Sequence, residues 1–252
     1  MDLSRLKEAR AFSFRRGRTG CLLVHGITST PFTVRAMGEW LAKRGITVHA
    51  PVLAGHSRTW KHLEATRWQD WYASVEAGYK LLRTRCRRVF AAGISMGGAQ
   101  VLHLAAHHPE LDGVIAMSPA LYLDDWRLGL LPLLRIFQRS VPAIGGEIND
   151  RESPRELYYD RMPLRSVAEL LRFQFHLREE LHLVRCPALI IQGKNDSVVP
   201  PGNARFVFDR ISSRAKRLVC LARSSHVITM DLDRERLFRL ALTLMRNAMS
   251  GA

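Results

Sequence analysis

Val89-Phe90-Ala91-Ala92-Gly93-Ile94-Ser95-Met96-Gly97-Gly98-Ala99-Gln100-Val101-Leu102-His103-Leu104 is the stretch that decides the fold. Val89 to Ala92 is a continuous apolar run, as a strand buried on both faces requires. From Met96 to His107 the pattern is helical, and the helix must end before Pro109. Between strand and helix lies Gly93-Ile94-Ser95-Met96-Gly97, a G-x-S-x-G turn. A chain that passes from strand to helix in so few residues strains the apex backbone, and small residues two before and two after the serine avoid clashes. The turn pushes the hydroxyl out at the carboxyl edge of a sheet. It also places it at a helix N-terminus, where the dipole favours developing negative charge. With 17 glycines and 16 serines in 252 positions, chance alone supplies roughly 0.07 such pentapeptides. The strand–turn–helix setting, more than the bare pattern, gives it meaning.

Outward from this turn, short apolar runs alternate with amphipathic helical patterns, the signature of a parallel sheet covered by helices. Cys21 to Val24, Ile46 to Val52, Val114 to Met117, Ala188 to Ile191 and Arg217 to Leu221 read as further strands. Thr30-Pro31 opens a helix with threonine as N-cap, and Gly45 stops it. Thr66-Arg67-Trp68-Gln69 reads as a capping box for a helix running to about Arg83. Helices are expected near Asn203 to Arg210 and Arg234 to Met249. From Ala120 to about Arg185 the rhythm breaks into helical pattern and loops with no strand signal. Residues 1–119 and 186–252 therefore read as one α/β core, and residues 120–185 as a cap or lid over the carboxyl ends of the strands, where open α/β sheets bind ligands.

A serine hydroxyl needs an oriented base to act as a nucleophile. Of ten histidines, His226 fits best, in a short loop between the last strand and the last helix. The base in turn needs an anion to hold its tautomer. Asp196 follows the strand Ala188 to Ile191 through Gln192-Gly193-Lys194-Asn195, giving the chain order Ser95, Asp196, His226. A tetrahedral oxyanion needs donors: Met96 N–H at the helix start, and Ile27 N–H in the loop His25-Gly26-Ile27-Thr28, where Gly26 allows close approach. His25 reads as a side chain that holds this loop.

Together, Leu23-Val24-His25-Gly26, Gly93 to Gly97, Gly193-Lys194-Asn195-Asp196 and Ser225-His226-Val227-Ile228-Thr229 resemble the α/β-hydrolases. These stretches are similar to the small bacterial carboxylesterases related to monoacylglycerol lipases, and His49 to His56 adds to the likeness. The resemblance implies an eight-stranded, mostly parallel sheet flanked by helices, a small helical cap, and cleavage of carboxylic esters without cofactor or metal. It assigns Ser95 as nucleophile, His226 as base, Asp196 as acid, and Ile27 and Met96 as oxyanion donors. Ser57, where relatives often carry glycine, and Ile27, where an aromatic is common, depart from the pattern. The substrate is expected to be a small ester, short-to-medium acyl or a monoacylglycerol, with Gly26, Leu128, Leu131 and Leu134 lining its site. Thioesters and lysophospholipids are alternative substrates for the same triad, and a non-catalytic ligand-binding protein of this fold is the rival class.

Composition sets the remaining bounds. Hydrophobic residues make up 47% and charged residues 24%, which excludes a disordered or fibrous chain. No H-E-x-x-H or sequence-local cluster of metal ligands is visible, so no metal is expected. Of four scattered cysteines, Cys21 and Cys220 lie inside apolar runs and read as buried thiols, and a reduced, cytoplasmic chain is expected. The N-terminal Met1-Asp2-Leu3-Ser4-Arg5-Leu6-Lys7-Glu8 has no apolar core of the secretory type. The net charge of +15 is carried by scattered arginines without interleaved aromatics. Weak contact with an anionic membrane surface is expected from it rather than nucleic-acid binding.

Overall fold

A computed structural model describes residues 6–143, 147–153 and 158–250. The first five residues of the N-terminal segment, and positions 144–146 and 154–157 of the expected cap, lie outside the described residues. The elements in chain order are β1 (Phe12–Phe14), β2 (Thr19–Val24), α1 (Phe32–Ala42), β3 (Thr47–Ala50), α2 (Trp60–Glu64), α3 (Trp68–Arg83), β4 (Arg88–Ile94), α4 (Met96–His107) and β5 (Gly113–Met117). They continue with α5 (Leu131–Phe137), β6 (Ser140–Pro142), β7 (Arg161–Pro163), α6 (Leu164–Glu180), β8 (Ala188–Gly193), α7 (Gly202–Arg210), β9 (Lys216–Leu221) and α8 (Arg234–Ser250).

One sheet runs in the order β1-β3-β2-β4-β5-β8-β9. Its neighbours are parallel except β1, which pairs antiparallel with β3. Among the described residues the sheet has seven strands rather than the eight that the resemblance implies. Alternation along each strand feeds two cores. Cys21 and Leu23 face α1 and α8, while Leu22 and Val24 face α3 and α4. Helix α4 is buried from Met96 through Ala105, because the sheet covers one side and α6 the other. Leu170, Phe173 and Leu177 of α6 join the same core as α4.

Several local expectations shift. Strand β3 ends at Ala50 because Pro51 has no N–H for the ladder. The N-cap of α1 is Pro31, one residue later than expected, while Thr30 Oγ1 accepts the Phe32 N–H at 3.3 Å. The α3 capping box sits one residue later than Thr66: Asp70 accepts the Arg67 N–H at 2.8 Å, while the Thr66 hydroxyl accepts the Trp71 indole N–H at 2.8 Å. The segment between β5 and β8 does contain strands, the short antiparallel pair β6–β7. Each has only three residues, too few for a period-two signal. Cys220 is exposed, not buried, since β9 is the edge strand and this residue faces away from the core. Cys21, Cys86 and Cys186 are buried free thiols.

Trp71, on α3, is fully buried in the core that also holds residues of β2 and α4, and is hydrogen-bonded through its indole. Trp71→Ala should lower the unfolding free energy by about 3–5 kcal/mol in urea titration; a loss below about 1 kcal/mol would contradict this packing.

Candidate active site

Ser95 sits between β4 and α4 with φ +58° and ψ −121°, a backbone that non-glycine residues rarely adopt. The strain is held from three sides. Ser95 N–H donates to Met117 O at 2.9 Å, and Ser95 O accepts from Ala99 N–H at 3.1 Å and Ala120 N–H at 3.2 Å. The two glycines of the turn are sterically compelled. A Cβ on Gly93 would lie 2.1 Å from Gly97 O, and one on Gly97 would lie 2.4 Å from Val24 O. In a run otherwise buried from Val89 through Ala105, Ser95 alone is part-exposed. A Cβ on Gly26 would come within 3.3 Å of Ser95 Cβ, so this glycine does stand beside the serine.

His25 holds the loop that Gly26 begins. Leu53 N–H donates to its Nε2 at 3.2 Å, which puts the ring proton on Nδ1, 2.9 Å from Gly26 O. The Ile27 and Met96 amides have no backbone acceptor among the described residues. Met96 is the first residue of α4, so its N–H has no partner one turn earlier.

The second half of the site comes from the loops after β8 and β9. His226 Nδ1 lies 2.9 Å from Asp196 Oδ2, with both side chains buried. The Asp196 carboxylate also accepts from Gln192 Nε2 at 2.6 Å and from the Val198 and Val199 amides at 3.0 and 2.9 Å. Four donors thus orient one anion. His226 is fixed through its main chain as well, since Ser118 Oγ donates to His226 O at 3.1 Å. Ser118 directly follows Met117, whose carbonyl holds Ser95, so both halves meet at the end of β5. No hydrogen bond joins the Ser95 hydroxyl to His226 among the described residues.

Sequence reasoning missed Gln192 and the role of Asp231. Asp231 is fully buried, and its carboxylate accepts the amides of Asn149, Asp150, Ser225 and Leu232 at 2.7–3.0 Å. It thereby ties the His226 loop to the segment between β5 and β8. Its place just before α8 reads from sequence as an ordinary acidic helix cap, and only the fold turns it inward. The leucine run expected to line the site packs against α6. Leu131 is buried, Leu128 is half-buried, and Leu134 is exposed with Leu133, Ile136 and Phe137, so the run is not ordinary core.

The Hydrolase_4 family, described as serine aminopeptidase, S33, matches residues 16–233. The chain belongs to this family. As a Hydrolase_4 member it is 38% identical over 242 residues to the thermostable monoacylglycerol lipase of Bacillus sp. (strain H-257), covering 94% of each chain. It is 25% identical over 227 residues to a carboxylesterase of Bacillus subtilis (strain 168), covering 90% of this chain and 92% of that one. A solved structure described under LipS and LipT, two metagenome-derived lipolytic enzymes, superposes with a TM-score of 0.92 at 33% identity over 96% of this chain and 99% of that one. The α/β-hydrolase fold and the monoacylglycerol-lipase-like grouping both hold.

The two buried histidines of the Gly26 side make a pH prediction. Burial, with a contribution from the neighbouring His56, holds His25 down to about 3. Burial holds His56 down to about 4. Unfolded, both titrate near 6.5. Unfolding therefore takes up protons below that pH, and stability present above it is lost as pH falls toward 4. Each histidine should contribute about 1.4 kcal/mol per pH unit to the slope of unfolding free energy in that window. His56→Gln should remove one such contribution; an unchanged slope would refute the neutral buried state.

Proposed function

We propose that this Hydrolase_4 chain is a serine carboxylic ester hydrolase of the monoacylglycerol lipase type, working through an acyl-serine at Ser95. The observation that carries the reading is the buried Asp196–His226 hydrogen bond of 2.9 Å, set at the same strand end as a serine in a strained turn. In the proposed reaction Ser95 Oγ attacks the ester carbonyl while His226 takes its proton. Asp196 keeps the imidazole in the tautomer with the proton on Nδ1 and stabilises the imidazolium. The Ile27 and Met96 amides receive the oxyanion. His226 then protonates the departing alcohol, and water activated by the same imidazole releases the acid. A Ser95–His226 hydrogen bond formed on substrate binding agrees with the behaviour of such pairs, which commonly tighten in the Michaelis complex.

Residues 120–185 are proposed as the cap, with Leu128, Leu131 and Leu134 belonging to the acyl-binding side and Gly26 to the reacting centre. The cap also offers a lipid-facing surface. Leu133, Ile136 and Phe137 are 56%, 73% and 81% exposed. Beside them lies a cleft of about 620 Å³ whose lining includes Arg67, Arg135, Arg139, Arg165 and Arg172. Glu64 and Glu169 also line this cleft and pair with Arg139 and Arg172, which leaves a net basic rim beside the apolar side chains, suited to an anionic membrane surface. No described helix is long and apolar enough to cross a membrane. Unpaired thiols, including the exposed Cys220, support a cytoplasmic location.

Ser95→Ala should abolish labelling by a fluorophosphonate probe and lower kcat by about 10⁶-fold, and Asp196→Asn should lower it by about 10⁴-fold. Full activity in the serine variant would end the assignment. A panel of monoacylglycerols, p-nitrophenyl esters of rising chain length, thioesters and lysophospholipids should place the highest kcat/KM on medium-chain acyl esters. A preference for acetate alone would remove the acyl-channel reading. Binding to anionic vesicles should fall with salt and in Ile136→Ser/Phe137→Ser; binding unaffected by either would exclude the cap surface.

A further inference from the structure

Helices α4 and α6 cross on the side of the sheet opposite α1 and α8, and where they meet three imidazoles converge on one carboxylate. His103 Nδ1 lies 2.6 Å from Glu180 Oε2. His107 Nε2 and His176 Nε2 lie 3.0 and 2.9 Å from Glu180 Oε1. The coordinating atoms of His103, His176 and Glu180 all fall within 4.8 Å of one another. On each helix the pair is spaced i, i+4, which places both side chains on one face: His103 with His107, and His176 with Glu180. The two pairs face each other because Leu170, Phe173 and Leu177 dock α6 on α4. No sequence-local motif reveals them, since the two halves lie some seventy residues apart.

We propose that His103, His107, His176 and Glu180 form a Zn²⁺ site joining α4 to α6, separate from the ester-hydrolysing centre. Three neutral nitrogens and one carboxylate oxygen are a donor set that Zn²⁺ accepts in tetrahedral geometry. At Zn–ligand distances of about 2.0–2.1 Å the donor atoms stand about 3.3 Å apart. The three contacts to Glu180, at 2.6, 2.9 and 3.0 Å, are shorter than that; His103, His176 and Glu180 already stand within 4.8 Å of one another, and His107 joins them by rotation of its exposed side chain. The site has an interior and a mouth. The side chains of His103 and Glu180 are 5% and 13% exposed, while those of His107 and His176 are 46% and 50% exposed and open a path for the ion. The inner wall is carbon-rich: the Trp68 ring centroid lies 5.7 Å from His103 and 5.4 Å from His176, and Tyr72 lies 4.4 Å from His103. Such a shell excludes water and fixes ring orientation around a metal. Binding would draw the segment that follows β5 onto the helix that begins at Met96.

The test uses the full chain after dialysis against a chelator. Titration with ZnCl₂ should saturate at one equivalent and raise Tm. Co²⁺ in its place should give the visible absorption of a four-coordinate site and quench the Trp68 emission. His107→Gln/His176→Gln changes two exposed side chains, so it should fold with the Tm of the metal-free wild type and bind Zn²⁺ about 100-fold more weakly or worse. His62→Ala, an exposed histidine elsewhere, should bind as the wild type does. Absence of a one-equivalent transition in the wild type, or equal affinity in the double variant, would overturn the proposal and leave Glu180 as a hydrogen-bond hub only. Ser95→Ala should still take up the metal, which separates this outcome from the fate of the ester-hydrolase reading.

Discussion

The first turn of α4 lies against the backbone at the end of β2 so closely that no side chain fits between them, and the site depends on this contact. Gly97 would push a Cβ to 2.4 Å from Val24 O and 2.5 Å from His25 O. Because the helix can come that near, the Met96 amide, the Gly26–Ile27 backbone and the Ser95 hydroxyl share one small region. Open the contact by the width of a methyl group and these amides move away from the Ser95 hydroxyl. The strain at Ser95 is maintained by its N–H donating to Met117 O at the neighbouring strand end, and by its carbonyl accepting from Ala99 of the helix and Ala120 just after β5.

The other side of the site is built from anions rather than from steric contact. Asp196 and Asp231 are buried carboxylates in a chain of net charge +15, yet each is satisfied mainly by backbone amides and polar side chains, not by arginine. Asp196 orients the imidazole, and Asp231 orients the loop that carries it. Amide donors are fixed by the fold and do not carry the side-chain entropy of a long cation, which suits groups that must hold a geometry.

Much of this was legible in the sequence. The strands of the core are uninterrupted apolar runs, so β2, β4, β5 and β8 could be read to within a residue or two. The order Ser95, Asp196, His226 was read from the G-x-S-x-G turn together with the loops that follow two strand ends. What escaped has a common physical cause, dependence on distant neighbours. Cys220 sits in an apolar run, but only the position of β9 at the sheet edge decides that its side chain faces outward. Asp231 looks like a helix cap until the segment around Asn149 folds over it. Strands β6 and β7 are three residues each and exist only because they find one another.

Helix α4 contributes almost nothing to the molecular surface, since the sheet and α6 cover it on opposite sides. A change of side chain from Gly97 to Ala105 must therefore be accommodated by two layers at once, and the room for drift there is narrow. The leucine-rich turns after β5 are held on one side only. Tolerance to substitution is then partitioned by architecture: a change in α4 disturbs two packed layers, while a change in α5 meets only one.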